Sequence, residues 1–347
     1  MLAMRIHEYG APDVFRADEV DRPTPGPRDL LVRVHATAVN PVDWKLRSGG
    51  QRNIIHYKLP WILGLDVSGV VEEVGARVTR FAVGDEVWSS PTHRRPGCYA
   101  EYTCIDEREA GRKPARISHV EAASMPLVGL TAYQCLVESA RLQSGERVLI
   151  HAGAGGVGSF AIQLAKHLGA QVVTTCSARN ADFVRALGAD EVIDYTKGSF
   201  ADACEPVDVV LDTIGPNILD DNVRVLRPGG RIANISVDIP ELVARHGPIL
   251  GSLAIAGDMV KLMAVPFHRK TIRSRHVIKR SDGEQLDVIA GLVESGAIRP
   301  VIDRVLPLRE VAEAHRYGET NRARGKIVLE VVPSGGVDAI DPSHAPR

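Results

Sequence analysis

Gly153-Ala154-Gly155-Gly156-Val157-Gly158 forms a GxGxxG string directly behind the apolar run RVLIH and directly ahead of a helical stretch. In that setting Gly153 permits a tight turn, Gly155 lets backbone approach a pyrophosphate, and Gly158 lets helix and strand pack closely. Free N–H groups at the helix start, with Gly156 and Val157 among the turn residues, then face the phosphates. No GK[ST] ending follows, which argues against a triphosphate-binding loop. The next strand runs into Thr175-Cys176-Ser177-Ala178-Arg179-Asn180 and offers no acid for ribose hydroxyls. Ser177, Arg179 and Asn180 can instead donate to a 2'-phosphate that a carboxylate would repel, so NADPH is the expected cofactor.

Metal chemistry has less to work with. Cys98, Cys104, Cys135, Cys176 and Cys204 include no CxxC couple, and a structural zinc wants close pairs of soft ligands. His7, His35, His93 and His151 show neither HxH nor HExxH spacing, so no metal is expected. Five thiols without a secretion signal suit a reducing compartment, and a cytoplasmic location is expected. MLAMRIHEYG passes straight into alternating structure and reads as part of the fold, not as a targeting segment.

The elements that must position these groups divide the 347 residues into two kinds of region. LLVRVHATAV at 30–39, VSGVVEEVG at 67–75 and FAVGDEVW at 81–88 are strand-like runs separated by turn residues, and they predict a small irregular barrel or sandwich. RPTPGPRD is a surface connection, because its prolines cannot sit in a central strand. From Ala122 onward strands and helices alternate. RVLIH, QVVTTC, EVIDY, VDVVLDT and GRIANIS are strands, GGVGSFAIQLAKHLG and NADFVRALG are helices, and the continuous apolar strands predict a doubly wound α/β domain with a parallel sheet. Residues 250–270 read as helical, RHVIK at 275–279 as a last strand, EQLDVIAGLVESGAI as an amphipathic helix, and RGKIVLEVV at 324–332 as a closing strand. With 42 Lys+Arg against 43 Asp+Glu there is no general pull toward nucleic acid, and Arg94-Arg95 and Arg112-Lys113 are too short to change that. No run approaches a membrane-spanning length.

The stretches AVNPVDWKLRSG, LGLDVSGVVEEVG, FAVGDEVW, AASMPLVGLTAY, HAGAGGVGSFAIQLAKHLGA, LGADEVIDY and ARGKIVLEV resemble the zinc-independent medium-chain dehydrogenase/reductases, the quinone oxidoreductase branch. TTCSARNADFVRALGADEVIDY and GAIRPVIDRVLPLREVAEAH are most similar to the subgroup of the mitochondrial reticulon-4-interacting protein. The resemblance implies a GroES-like substrate domain over 1–125, a Rossmann NADPH-binding domain over 126–281, a return to the first domain over 282–332, and a disordered tail over 333–347. It implies NADPH-dependent hydride transfer to a quinone. The alternatives are reduction of a conjugated C=C bond in an alkenal, enone or enoyl thioester, or a non-enzymatic role in binding NADPH or nucleic acid. The partner is then a small-molecule quinone or enone, with a homodimer left open.

By the same resemblance, Asn40 and Leu65 stand where zinc-dependent relatives place a catalytic Cys and His, and the acid of that stretch survives as Asp66. Asn40 is expected to donate its amide to the acceptor oxygen. Asp43 is expected to be a solvent-accessible, ionised residue orienting the loop, with Tyr57 beside it and Trp88 lining the pocket. On the cofactor side Thr131 is placed near the nicotinamide and Tyr195 near the 2'-phosphate, with Ile214, Gly215 and Ser236 at the ends of strands facing the crevice. Asn321, Arg324, Gly325 and Lys326 correspond to the family's closing contact with the cofactor.

Overall fold

The computed structural model describes residues 1–52, 55–236 and 272–332. The helix expected at 250–270 and the tail at 333–347 lie outside the described residues. The first part of the chain supplies β1 (Leu2–Ile6), β2 (Phe15–Glu19), β3 (Asp29–Val39), β4 (Trp61–Ile62), β5 (Val67–Val74), β6 (Glu86–Ser89), β7 (Tyr102–Asp106) and β8 (Ala110–Arg112). Three short helices accompany them, α1 (Pro41–Arg47), α2 (His119–Ala123) and α3 (Pro126–Tyr133). A proline opens both α1 and α3 at their first positions, where the missing N–H leaves no helical bond unmade.

The alternating part supplies β9 (Arg147–Ile150), α4 (Gly156–His167), β10 (Gln171–Cys176), α5 (Ala181–Ala186), β11 (Glu191–Asp194), α6 (Phe200–Ala203), β12 (Val207–Asp212), α7 (Leu219–Val225), β13 (Leu226–Asn234) and β14 (Arg273–His276). Its strands form one all-parallel sheet in the order β11-β10-β9-β12-β13-β14. The order reverses between β9 and β12, and the carboxyl ends of those two strands flank the crevice where such sheets take ligands. All four residues of β9 are buried, as a strand covered on both faces requires. The last strand starts two residues earlier than RHVIK and ends at His276, so Lys279 falls in the loop beyond it.

After the helix Gly283–Glu294, the chain returns through β15 (Ile302–Pro307), the helix Val311–Gly318 and β16 (Lys326–Glu330). β16 pairs antiparallel with β3, Ile327 opposite Val39, and closes a seven-stranded sheet in the order β15-β16-β3-β5-β6-β8, with β7 also on β3. This return decides the site, because it brings Lys326 beside Asn40 at one end of β3. The two regions share a core in which Trp88 from β6 packs in one cluster with Leu130, Phe160, Leu286 and Ile289.

Candidate active site

Asn40, Asp66 and Lys326 come from the ends of three neighbouring strands, β3, β5 and β16, and meet as a buried polar cluster. The Lys326 ammonium donates to Asn40 Oδ1 and, at 2.9 Å, to Asp66 Oδ2. Asn40 Nδ2 donates to the same Asp66 oxygen at 2.8 Å and to the Ala38 carbonyl at 3.4 Å. The second Asp66 oxygen accepts from the Leu127 N–H at 2.7 Å, which ties α3 to the cluster. A lysine can only donate, so the amide orientation of Asn40 follows from chemistry. This corrects two expectations. Asn40 is buried with both amide hydrogens engaged, so it holds the cluster together and is not free to donate to an acceptor. Lys326 does not extend toward the cofactor phosphates: its stem crosses the glycine turn, where a Cβ on Gly156 would lie 3.0 Å from Lys326 Cδ, and its charge points into the cluster. Two of its three N–H groups have partners, and the third is left for another acceptor.

Asp43 differs from the expected solvent-accessible acid. It is fully buried at the start of α1, where its carboxylate accepts the Asn40 N–H at 2.8 Å and closes a capping box. Burial pushes its carboxyl up to about 7, with the Asn40 bond and the Lys326 charge pulling the other way. Its other oxygen has no hydrogen-bond partner, although the Tyr99 hydroxyl lies beside it. Behind Tyr99 a buried chain continues through His315 to Arg47, with contacts of 3.1 and 3.3 Å. Arg47 only donates, so His315 Nδ1 accepts, Nε2 carries the proton, and the Tyr99 proton is left to face Asp43. Burial and the Arg47 charge push His315 down to about 3, consistent with that neutral ring.

Tyr57 is packed rather than presented: its ring stacks on Trp61 at 4.8 Å within the barrel core. Trp88, expected in the pocket, has no exposed surface and belongs to the shared core. The thiols are inert in kind, since burial pushes Cys98, Cys104, Cys135 and Cys204 up. Of the exposed basic pairs, Arg95 makes a two-bond fork to Asp29, Arg112 reaches Asp85 and Lys113 pairs with Glu86.

At the other wall of the crevice the glycine string is cradled so closely that side chains cannot enter. A Cβ on Gly153 would lie 2.1 Å from Thr174 Oγ1, and one on Gly158 would lie 2.3 Å from the Ala152 carbonyl. The left-handed residue of the turn is Ala152, at φ 50°, so Gly153 is needed for close approach to β10 and not for its own dihedral. Gly155 caps α4 without a side-chain bond, leaving the first N–H groups of a twelve-residue helix facing the crevice. A diphosphate fits this cradle. The closing loop docks on it through Gly325, whose N–H donates to the Ala154 carbonyl at 2.8 Å.

A buried network, missed in the sequence, holds the rim. Asp212 Oδ1 accepts from the N–H groups of Ile214 and Gly215, and Oδ2 accepts from Asn222 and Asn234. Asn222 Oδ1 then accepts from His151, whose other nitrogen faces the Thr175 hydroxyl. Asn234 Oδ1 accepts the Ser236 N–H, and Gly215 lies against Ser236. Polar residues closing otherwise apolar strands, as in VDVVLD and GRIAN, were the available signal. Tyr195 and Ile214 are 58% and 49% exposed at strand ends, unusual for large apolar side chains. Arg179 is exposed, while Asn180 is buried with its carbonyl oxygen accepting from Arg324 Nε at 2.7 Å. Arg324 also donates to the Arg179 carbonyl, so it braces the Arg179 loop and is not a free phosphate contact. Thr131 turns its hydroxyl back to the Leu127 carbonyl, and Asn321 is an exposed left-handed residue, φ 55°, with its amide on Glu319. Neither side chain is aimed at the glycine turn. Ser177 is half-buried between β10 and α5.

Residues 187–329 match the family model described as Zinc-binding dehydrogenase, and 26–115 match Alcohol dehydrogenase GroES-like domain. The mouse (Mus musculus) NAD(P)H oxidoreductase RTN4IP1, mitochondrial, is 36% identical, the match covering 96% of this chain and 89% of that protein. The NADPH-dependent alkenal/one oxidoreductase, chloroplastic, of Arabidopsis thaliana is 34% identical over 96% of this chain and 80% of its own. Among solved structures, the quinone oxidoreductase from Coxiella burnetii superposes with a TM-score of 0.81 at 34% identity, covering 95% of this chain and 99% of that one. The relatives' names carry mitochondrial and chloroplastic locations, which overturns the cytoplasmic expectation drawn from the thiols.

Proposed function

The chain belongs to the medium-chain dehydrogenase/reductase superfamily, in its quinone oxidoreductase branch, and from that premise we propose that it transfers hydride from NADPH to a quinone without a catalytic metal. It is an NAD(P)H-dependent oxidoreductase of the quinone-oxidoreductase and alkenal-reductase type. The observation that carries the finer reading is the Lys326 ammonium lodged between Asn40 and Asp66. In the zinc-dependent branch the Asn40 and Leu65 positions hold metal ligands. An amide, an aliphatic side chain and an ammonium do not fit a zinc ion there.

Bound NADPH supplies the hydride. The chain's own residues do the rest. The glycine turn and the α4 N-terminus would hold the diphosphate, with Gly153, Gly155, Gly156, Val157 and Gly158 providing backbone and no bulk. Ser177, Arg179 and Tyr195 would take the 2'-phosphate. Lys326, held by Asn40 and Asp66 and with one N–H to spare, offers a fixed positive charge to the oxygen on which negative charge develops. Such pre-organised charge in a dry cleft is worth more than the same group in water. Asp43 and Tyr57 then serve as supports of α1 and the barrel wall.

The test is NADPH oxidation by the purified protein against quinones, alkenals, enones and enoyl thioesters, before and after chelation. Quinone turnover that survives chelation is the expected result. Activity that requires added zinc, or that is confined to alkenals, would overturn the reading, the latter outcome favouring the chemistry named for the Arabidopsis relative.

A further inference from the structure

Resting on the quinone reductase reading, we propose that Lys279 is a catalytic acid of this protein, delivering to the reduced acceptor the proton that hydride transfer leaves wanting. Lys279 lies three residues beyond β14, on the carboxyl side of the parallel sheet that faces the crevice. Its ammonium crosses to the other domain, donating to the Ser90 carbonyl at 2.8 Å and to the Ser90 hydroxyl at 2.9 Å, with Ser281 Oγ at 3.3 Å. The Ser90 hydroxyl in turn donates to the Leu65 carbonyl at 2.6 Å. Leu65 and Asp66 therefore sit between two ammonium groups, Lys326 on one side and Lys279 on the other.

The two differ in what holds them. Lys326 is neutralised by the Asp66 carboxylate. Lys279 bonds only to a carbonyl and two hydroxyls, with no carboxylate partner among the described residues. Such a cation keeps its proton less firmly. Burial pushes Lys279 down to about 8, while Asp66, Glu109, Cys98 and Asp43 pull upward, and His93, facing it, is itself pushed down by burial and by Arg94 and Lys279.

The step balances as follows. Hydride leaves NADPH with two electrons, NADP+ forms, and the quinone becomes a hydroquinone monoanion. The Lys279 Nζ–H bond breaks as the O–H bond of the hydroquinone forms. The neutral amine regains its proton from solvent. Catalysis needs the protonated amine, so turnover stands below about pH 8 and falls as pH rises through that value.

The experiment compares wild type, Lys279→Met and Lys279→Arg with the quinone that wild type reduces best, as kcat against pH, together with NADPH Kd and Tm. Arg retains a cation for Ser90 but gives up a proton far less readily. Both variants are expected to keep NADPH affinity, to lose on the order of 100-fold in kcat, and to lack the alkaline fall near pH 8. Full turnover in Lys279→Arg, or an unchanged alkaline limb in Lys279→Met, would show that the ammonium merely staples the loop to the barrel and would overturn the acid role while leaving the quinone reading intact. Should wild type reduce no quinone, the functional reading falls and the acid role with it.

Discussion

Replacing Lys326 with Met tests whether the cluster is a buried ion pair or an incidental contact. The ammonium and the Asp66 carboxylate are 2.9 Å apart with side-chain exposures of 5% and 0%, so neither charge has water to fall back on. Breaking such a pair from one side costs about 3–5 kcal/mol. Asp66 keeps two donors, Asn40 Nδ2 and Leu127 N, which places the pair loss near the lower end, about 3 kcal/mol. Asn40 Oδ1 loses its donor, adding about 1 kcal/mol. Lys326→Met is thus expected to lose about 4 kcal/mol in urea unfolding followed by circular dichroism. The double variant Lys326→Met/Asp66→Asn removes the stranded charge and should recover most of that loss, giving a coupling energy of about 2–3 kcal/mol. Turnover should stay lost in both, because the cation offered to the acceptor is missing in both. A single variant within about 1 kcal/mol of wild type would refute the buried-pair argument, and full turnover in the stable double variant would refute the electrostatic role of Lys326.

Asn40→Ala strips a donor from Asp66 and an acceptor from Lys326, so it should lose about 2–4 kcal/mol by the same unfolding assay while NADPH binding by the folded protein is unchanged. Asp43 binds its proton more tightly folded than unfolded, so its contribution to stability is present below about pH 4 and is lost as pH rises to about 7, a change of at most about 4 kcal/mol. Asp43→Asn should accordingly gain on wild type across that window and hold a constant advantage above it, as measured by unfolding at a series of pH values. Arg179→Ala should weaken NADPH about tenfold or more, the worth of one charge-assisted phosphate bond, and leave NADH nearly unchanged in direct titration.

Much of the architecture was legible because it depends on local pattern. Continuous apolar strands alternating with helices can only be covered on both faces, and the parallel sheet follows. The glycine string was equally readable, since only glycine leaves room where the structure has a carbonyl 2.3 Å from the would-be Cβ of Gly158. Even there Ala152 took the left-handed dihedral that the motif suggested for its neighbour. What sequence could not yield is which charges meet. Asp43 is three residues from Asn40 and looks like an exposed helix-start acid, but the barrel closes over it and moves its ionisation by burial alone. Lys326 and Asn40 are 286 positions apart, and their contact exists because β16 returns to pair with β3. Lys279 reaches Ser90 across 189 positions, from a loop whose strand boundary was itself displaced. Side-chain type and periodicity are properties of a segment and survive in the sequence. Desolvation and pairing are properties of what the rest of the chain brings alongside, and only the tertiary structure decided them.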